Sequence, residues 1–143
     1  MNIQVSTIIN RPVSAVFAIV ADFEQWPQWE DSFVEVKRQS ATPNTVGTVY
    51  WCKRKVPQVA ESSFVITAYE PNQHVMIEGA WVGQFKPAGG YRVEAVADGT
   101  KVTSIGRPHL RGLFKLLSPV MVVMGTRLSK TYLSNLKRLA ESR

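Results

Sequence analysis

The sequence contains few of the residues from which metal, disulfide and thiol sites are built. In 143 residues it has one cysteine, Cys52, and two histidines, His74 and His109. A lone cysteine cannot form an internal disulfide, which is typical of a reducing compartment such as the cytoplasm. A zinc site needs three or four ligands at suitable spacing, and these three side chains do not supply them. We therefore predict no metal site and no cofactor, and we interpret Cys52 as a small buried side chain.

Long apolar runs and the common catalytic motifs are also missing. No apolar run reaches the roughly 18 residues that a transmembrane helix needs, so no transmembrane segment is predicted. Residues 1–9 alternate polar and apolar side chains and lack the basic and apolar parts of a signal peptide. The patterns G-x-G-x-x-G, G-x-x-x-x-G-K-[ST], G-x-S-x-G and H-E-x-x-H are absent, which excludes the commonest nucleotide-binding and hydrolase sites. A cytoplasmic location is expected.

Acidic residues are outnumbered, with 17 Lys and Arg against 11 Asp and Glu and a net charge of +6. Such an excess suits an anionic partner, whether nucleic acid, phospholipid or an acidic ligand. Apart from Lys53, Arg54 and Lys55 and the end of the chain, however, the cations are scattered and are not interleaved with the aromatics that single-strand binding uses. We therefore predict a solvated surface and no nucleic-acid partner. Trp51, outward-facing beside Lys53 and Lys55, leaves a peripheral membrane contact open.

What the chain does have is the length of one domain, residues 1–143, and a clear period-two pattern over most of it. The pattern predicts strands at residues 2–9, 31–38, 46–55, 62–70, 74–81, 87–95 and 100–109. Two short helices follow the first strand, the first with Pro12 in its opening turn and the second from Asp22 to Trp26. Residues 40–45 are predicted to form a turn, and Asp98 with Gly99 forms the strongest hairpin signal.

The last third of the chain, residues 110–143, changes to helical periodicity and is predicted to be one long amphipathic helix. Its apolar face consists of Leu113, Leu117, Val120, Met124, Leu128, Tyr132, Leu136 and Leu139. Pro119 lies inside the pattern and predicts either a kink or a fresh start capped by Ser118. A helix of about thirty residues is roughly 45 Å long, so it should run diagonally across a curved sheet.

Five segments of this sequence resemble a known protein family. They occur in the same order as in that family, and together they span nearly the whole chain. They are R-P-V-S-A-V-F at 11–17, A-D-F-E-Q-W-P-Q-W at 21–29, Y-E-P at 69–71, D-G-T-K-V at 98–102 and L-K-R-L at 136–139. The family is the polyketide cyclase/dehydrase and lipid transport group of the START-like, Bet v 1-like superfamily (SRPBCC). The resemblance implies an α+β helix-grip fold, in which a seven-stranded antiparallel sheet curves around the long C-terminal helix, with two short helices after strand 1 and a cavity between sheet and helix.

Alternation within each strand predicts which side chains face the helix. Small inward residues, namely Ala68, Gly79, Ala95, Ser104 and Gly106, should leave a hollow at the scale of a ligand pocket, roughly 300 to 1,000 Å³. The predicted ligand contacts are Tyr50, Phe64, Ile66, Ile77, Gly79, Trp81, Tyr91 and Val93 from the sheet, and Val120, Met124 and Leu128 from the helix. The alternative is that bulky Trp, Tyr and Met side chains from the helix fill this space.

The leading hypothesis is binding or transport of a small hydrophobic molecule, lipid-, quinone- or polyketide-like, with Tyr50, Arg54 and Tyr91 orienting its polar end. A second hypothesis, which the resemblance permits, is a cyclase or dehydratase acting in the same cavity, with Arg54 and His109 as candidate catalytic residues. Each also has an ordinary interpretation, Arg54 as a rim side chain and His109 as a surface histidine. A third hypothesis is an interaction module that associates with quinones or with ribosomes. The sequence leaves open whether the protein is an enzyme, and whether it is a monomer or a homodimer.

Overall fold

The computed structural model describes residues 2–41, 44–55 and 58–143. The elements, in chain order, are β1 (Ile3–Ile9), α1 (Val13–Val20), a first 3₁₀ helix (Phe23–Gln28), β2 (Phe33–Arg38), β3 (Val49–Arg54), β4 (Ala60–Glu70), β5 (His74–Gly79), β6 (Phe85–Lys86), β7 (Ala88–Val96), β8 (Gly99–Gly106), β9 (His109–Leu110), a second 3₁₀ helix (Gly112–Leu117) and α2 (Ser118–Glu141). Residues 42 and 43 of the predicted turn at 40–45 lie outside the described residues.

Within the described residues, seven strands form one antiparallel sheet in the order β1-β8-β7-β5-β4-β3-β2. The predicted seven-stranded sheet is confirmed, as is the hairpin between β7 and β8, where Gly99 takes the positive φ of +131° that favours glycine. The short strands β6 and β9, which the sequence pattern did not predict, pair separately. Among the residues that the structure describes, no helix has both the length and the apolar character needed to cross a bilayer.

The helix predicted for residues 110–143 is divided into two. Residues 112–117 form the second 3₁₀ helix, and α2 begins only at Ser118, with Pro119 in its first turn. Proline fits there because the first helical N–H groups have no partner within the helix. Ser118 does not act as a cap, since its hydroxyl donates to the carbonyl of Lys115 at 2.8 Å. Of the two predicted outcomes, the chain adopts the fresh start.

A cluster of aromatic rings fills much of the space between the sheet and the helices. Trp26 and Trp29, from the first 3₁₀ helix and its end, are buried, with ring centroids 5.7 Å apart. The indole N–H of Trp26 donates to the carbonyl of Val20 at 2.8 Å, which ties this helix to α1. Sheet residues Tyr50 and Phe64 stack below, 5.2 Å apart. Burying such rings is a main contribution to the stability of the fold.

Strict alternation is wrong at two places on the inner face of the sheet. A bulge between Ile66 and Ala68 shifts the register of β4, so that Tyr69 packs against the ring of Phe17 at 5.7 Å where Ala68 was expected to face the core. Ala95, near the end of β7, is exposed although Tyr91 and Val93 on the same strand are buried. Alternation along a strand shows which side chains point toward the helix, but not how far along the strand the helix covers the sheet.

Candidate functional site

A cavity of about 130 Å³ lies between the inner face of the sheet and α2. Its apolar wall includes Trp26, Phe33, Phe64 and Ile77. Its polar wall includes Glu30, Arg54, Tyr91, Ser104, Ser129 and Tyr132. This volume is below the roughly 300 Å³ expected for a typical ligand pocket. The reason is that Trp26 and Trp29 project from the chain after α1 into the space that the sheet encloses.

The glycines on the wall allow close approach of neighbouring segments. A Cβ atom on Gly79 would lie 2.6 Å from Cγ of Pro87, and one on Gly90 would lie 2.0 Å from the carbonyl oxygen of Val75. Gly106 has ordinary contact space, because a Cβ there would be 3.4 Å from Cβ of Ile3. The space freed at Gly79 is therefore taken by Pro87, and Gly79 and Gly90 bring backbone segments together around the cavity.

Glu30 brings a buried carboxyl group to this wall. Its backbone is fixed by two hydrogen bonds: its N–H donates to the carbonyl of Trp26 at 2.7 Å, and its own carbonyl accepts from the N–H of Phe33 at 3.1 Å. Its Oε2 atom is buried and has no hydrogen-bond partner among the described residues. An unpaired buried polar atom is costly, so such an atom on a cavity wall marks a place where a ligand can bind.

The protonation of Glu30 is set by two opposing effects. Burial, the larger effect, raises the pKa of this carboxyl from its ordinary value of 4.5 to about 7, because removal from water disfavours the charged form. The positive charge of Arg54 and the hydroxyl of Tyr91 oppose the rise. Glu30 therefore changes its charge near neutral pH.

Arg54 lies at the end of β3, opposite Phe33 of β2. Its guanidinium carbon is 4.4 Å from the centroid of the Phe33 ring, a cation–π distance that holds the side chain against the apolar wall. Its charge acts on the carboxyl of Glu30 and on the phenol groups of Tyr91 and Tyr132. The cavity thus contains a half-buried cation near a buried acid.

Two tyrosines face Glu30 from different elements. Tyr91 comes from β7, directly opposite Ser104 of β8, and Tyr132 comes from α2 one turn after Ser129. Burial raises the pKa of both phenols above the usual value, and the charge of Glu30 raises them further. Both hydroxyls therefore stay protonated at neutral pH and can donate hydrogen bonds.

This set of groups suits hydrogen bonding and proton exchange rather than nucleophilic attack. Cys52 also lines the cavity, but burial raises its pKa to about 11, which keeps the thiol protonated and unreactive. The described residues contain no group of three or more His, Cys, Asp or Glu side chains placed to hold a metal ion. An acid that titrates near pH 7 is suited to general acid–base chemistry.

The sequence-predicted contact residues fall into three groups. Phe64, Ile77, Gly79 and Tyr91 lie on the cavity wall together with Arg54. Tyr50, Ile66 and Val93 are buried in the packed core, where the Tyr50 hydroxyl donates to Oδ1 of Asn44, and Leu128 packs against that core.

The third group is exposed. Val120 and Met124 are 57% and 56% exposed on the N-terminal half of α2, and Trp81 is 39% exposed under the guanidinium of Arg111. The prediction carried β5 through residue 81, whereas the strand ends at Gly79. His109 is exposed in β9, opposite Lys86, and is not on the cavity wall. The structure therefore brings Arg54 to the cavity and leaves His109 outside it.

Glu30, Ser129 and Tyr132 were not among the predicted site residues. Tyr132 was assigned to the apolar face of the helix, which correctly turned it inward, but its hydroxyl was not considered. Glu30 follows two buried tryptophans and a proline, and this apolar setting for an acidic residue was the available signal.

A sequence profile of the family described as polyketide cyclase / dehydrase and lipid transport matches residues 1–141. A comparison with curated protein sequences found no match. The profile therefore covers the whole of the sheet and helix that form the cavity.

Several solved structures have the same architecture at low sequence identity. TTHA0849 from Thermus thermophilus is 12% identical with a TM-score of 0.78, covering 99% of this chain and 98% of that chain. The Zhui aromatase/cyclase from Streptomyces sp. R1128 is 11% identical with a TM-score of 0.79, covering 100% and 94%. Ara h 8.0201 is 15% identical with a TM-score of 0.76, covering 100% and 99%. At these identities the likeness shows the fold, which is the helix-grip architecture expected from the sequence.

Proposed function

Since this chain belongs to the polyketide cyclase/dehydrase and lipid transport family, we propose that it binds a small hydrophobic molecule in the cavity between the sheet and α2, with a polar group of that molecule against Glu30. The unpaired Oε2 of Glu30 on a largely apolar wall is the observation that carries the proposal. A ligand hydroxyl donating to this oxygen would satisfy it, and Arg54 and Tyr91 would bind a neighbouring ligand oxygen.

The size of the cavity limits what enters it. An apolar protein cavity of about 150 Å³ binds benzene, and the cavity here is about 130 Å³. One ring or a short chain therefore fits, and the rest of a lipid-, quinone- or polyketide-like molecule has to extend beyond it. The ligand end that suits both volume and polarity is a hydroxylated ring.

The test is an NMR titration with 4-methylphenol, using toluene as the matched ligand without the hydroxyl. We expect chemical-shift changes at cavity residues and tighter binding of 4-methylphenol above neutral pH, where Glu30 is charged. A hydrogen bond to a charged group contributes about 1.5–3 kcal/mol, so the preference should be at least tenfold.

A pair of variants on α2 tests whether the cavity is the binding site. Ser129 lines the cavity and Ser134 is exposed five residues later on the same helix. Ser129→Phe should abolish binding of 4-methylphenol by filling the cavity, whereas Ser134→Phe should leave it unchanged. Equal binding to both variants would refute the proposed site.

One observation favours a second candidate function, a cyclase- or dehydratase-type reaction. The pKa of Glu30, about 7, lies near the value that makes a side chain both a useful acid and a useful base at physiological pH. In this candidate Glu30 removes a proton next to a ketone while Arg54 stabilises the resulting enolate oxygen. A poly-β-ketone thioester is the substrate to test; turnover that Glu30→Gln reduces with little change in KM would support catalysis over binding alone.

The proposed location is the cytoplasm. The support is Cys52, the lone cysteine of the sequence, which is buried as a free thiol. A single cysteine, which cannot form an internal disulfide, is typical of proteins in a reducing compartment.

A further inference from the structure

A row of large apolar side chains is exposed to water along the second 3₁₀ helix and the first half of α2. This row, called here the outer stripe, consists of Leu113, Leu116, Leu117, Val120, Val123 and Met124, and their exposed fractions range from 45% to 81%. Within α2 the three- and four-residue spacing places Val120, Val123 and Met124 on one face, and Leu113, Leu116 and Leu117 continue the exposed row along the 3₁₀ helix before it. Exposed apolar clusters of this kind mark interaction surfaces.

The opposite side of the same helix is covered, which shows that the stripe is not simply a misplaced core face. A Cβ atom on Gly125 would lie 2.4 Å from Cδ1 of Ile3, so α2 packs closely on β1 at this point. Met121 and Val122 are half-buried. The helix therefore has two apolar faces in this half, one against the sheet and one facing solvent.

The charge within the segment that carries the stripe has a single sign. Residues 111–127 include no Asp or Glu and carry three cations, Arg111, Lys115 and Arg127. Lys115 lies within the stripe segment, and Arg111 and Arg127 flank it; all three are exposed. Apolar side chains bordered by cations are the chemistry by which interfacial helices bind anionic lipid.

A second copy of the chain fits this surface poorly. In a two-fold dimer the same patch meets itself, so the cations around one stripe would face the cations around the other. A membrane with negative headgroups instead provides an apolar layer for the stripe and anions for its border. We propose that the outer stripe docks the protein on an anionic phospholipid surface.

The position of the stripe connects this surface with the cavity. Ser129, on the cavity wall, follows Met124 by five residues, or about 7.5 Å along the helix axis. At its other end the stripe follows β9, which pairs with β6 next to the wall residue Pro87. When the stripe is docked on a membrane, the part of the cavity wall that includes Ser129 and Pro87 therefore lies close to the lipid. The docking stands independently of the ligand proposed for the cavity.

The experiment is co-sedimentation with phosphatidylcholine vesicles, with and without about 30% phosphatidylglycerol. We expect binding to the anionic vesicles, weaker binding to the neutral ones, and a loss of binding as salt is raised. The double variant Leu113→Gln, Leu116→Gln should weaken binding by about tenfold or more, because two exposed leucines no longer enter the lipid. Val59→Gln is the matched control, since Val59 is 70% exposed outside the stripe.

A charge variant gives a second measure. Lys115→Ser should weaken binding about fivefold, whereas Lys53→Ser, which removes an exposed cation on β3, should have little effect. Thermal unfolding of each variant checks that the fold is kept. The proposal is overturned by absence of binding to anionic vesicles, by equal binding to neutral ones, or by a Leu113/Leu116 variant that binds as the native protein does. A native dimer that this variant converts to a monomer would instead assign the stripe to self-association.

Discussion

Replacing Glu30 with glutamine should change how stability depends on pH. In the folded protein the pKa of this carboxyl is about 7 because the group is buried, and its ordinary value is 4.5. Between these two values the folded state holds a proton that the unfolded state has released. The free energy of unfolding of the native protein therefore falls as pH rises through this window. In Glu30→Gln the side chain is uncharged at every pH, so this variant does not lose that stability.

The size of the effect follows from the shift. A pKa rise from 4.5 to about 7 corresponds to about 3 kcal/mol, at about 1.4 kcal/mol for each pH unit. Below about pH 4.5 the contribution of the protonated carboxyl is fully present, and above about pH 7 it is lost. Relative to the native protein, Glu30→Gln should gain about 3 kcal/mol on going from about pH 4.5 to about pH 8.

Urea denaturation at a series of pH values measures this difference directly. The comparison between two proteins cancels the titration of every other group that both share. Glu61→Gln, the same substitution at an exposed position on β4, is the control for the exchange of Glu for Gln itself. A free-energy difference between Glu30→Gln and the native protein that is flat over this range would refute the assignment of Glu30 as a buried acid with a raised pKa.

Two further predictions concern the residues around the cavity. The thiol of Cys52, with a pKa of about 11 and almost no exposure, should react with an aromatic disulfide reagent at least about a hundredfold more slowly in the native protein than in urea; comparable rates would contradict its burial. Gly90→Ala should lower the free energy of unfolding by about 2 kcal/mol or more, because the new Cβ would meet the carbonyl of Val75. Gly106→Ala, with ordinary contact space, should cost less than about 1 kcal/mol, and equal costs for the two would contradict the packing described at Gly90.

Much of the fold was predictable from local patterns. Alternation over β1, β3 and β5 identified strands because each has one face on the core, and Asp98 with Gly99 located the hairpin between β7 and β8. The strands β6 and β9 were missed because two residues are too few to show a period. The bulge in β4 was missed because it depends on pairing with β5.

The periodicity of the last third predicted a helix but not which of its faces is covered along its length. Leu136 and Met124 both fit the apolar face predicted from the sequence, yet Leu136 is buried and Met124 is 56% exposed. A repeating spacing does not show which face of a helix meets the sheet: at Gly125 α2 packs on Ile3 of β1 through a different face, which leaves Met124 on the solvent side. The outer stripe could therefore be seen only in three dimensions.

In the candidate site, too, some residues were predicted from the sequence and others were missed. Arg54 and Tyr91 lie on regular strands, so alternation assigned both to the inner face. Glu30 lies just after a 3₁₀ helix, where no period applies, and acidic side chains are seldom buried. Its burial results from contacts between segments distant in sequence, including β7 and α2, and local patterns do not report these.

The role of Glu30 is tested most directly by its carboxyl ¹³C chemical shift, assigned through Glu30→Gln and followed over pH with and without 4-methylphenol. We expect a midpoint near 7 in the free protein. The midpoint should fall when 4-methylphenol binds, because a ligand hydroxyl that donates to the carboxylate stabilises its charged form. A midpoint near 4.5 that 4-methylphenol leaves unchanged would contradict both the burial of Glu30 and its role in the cavity.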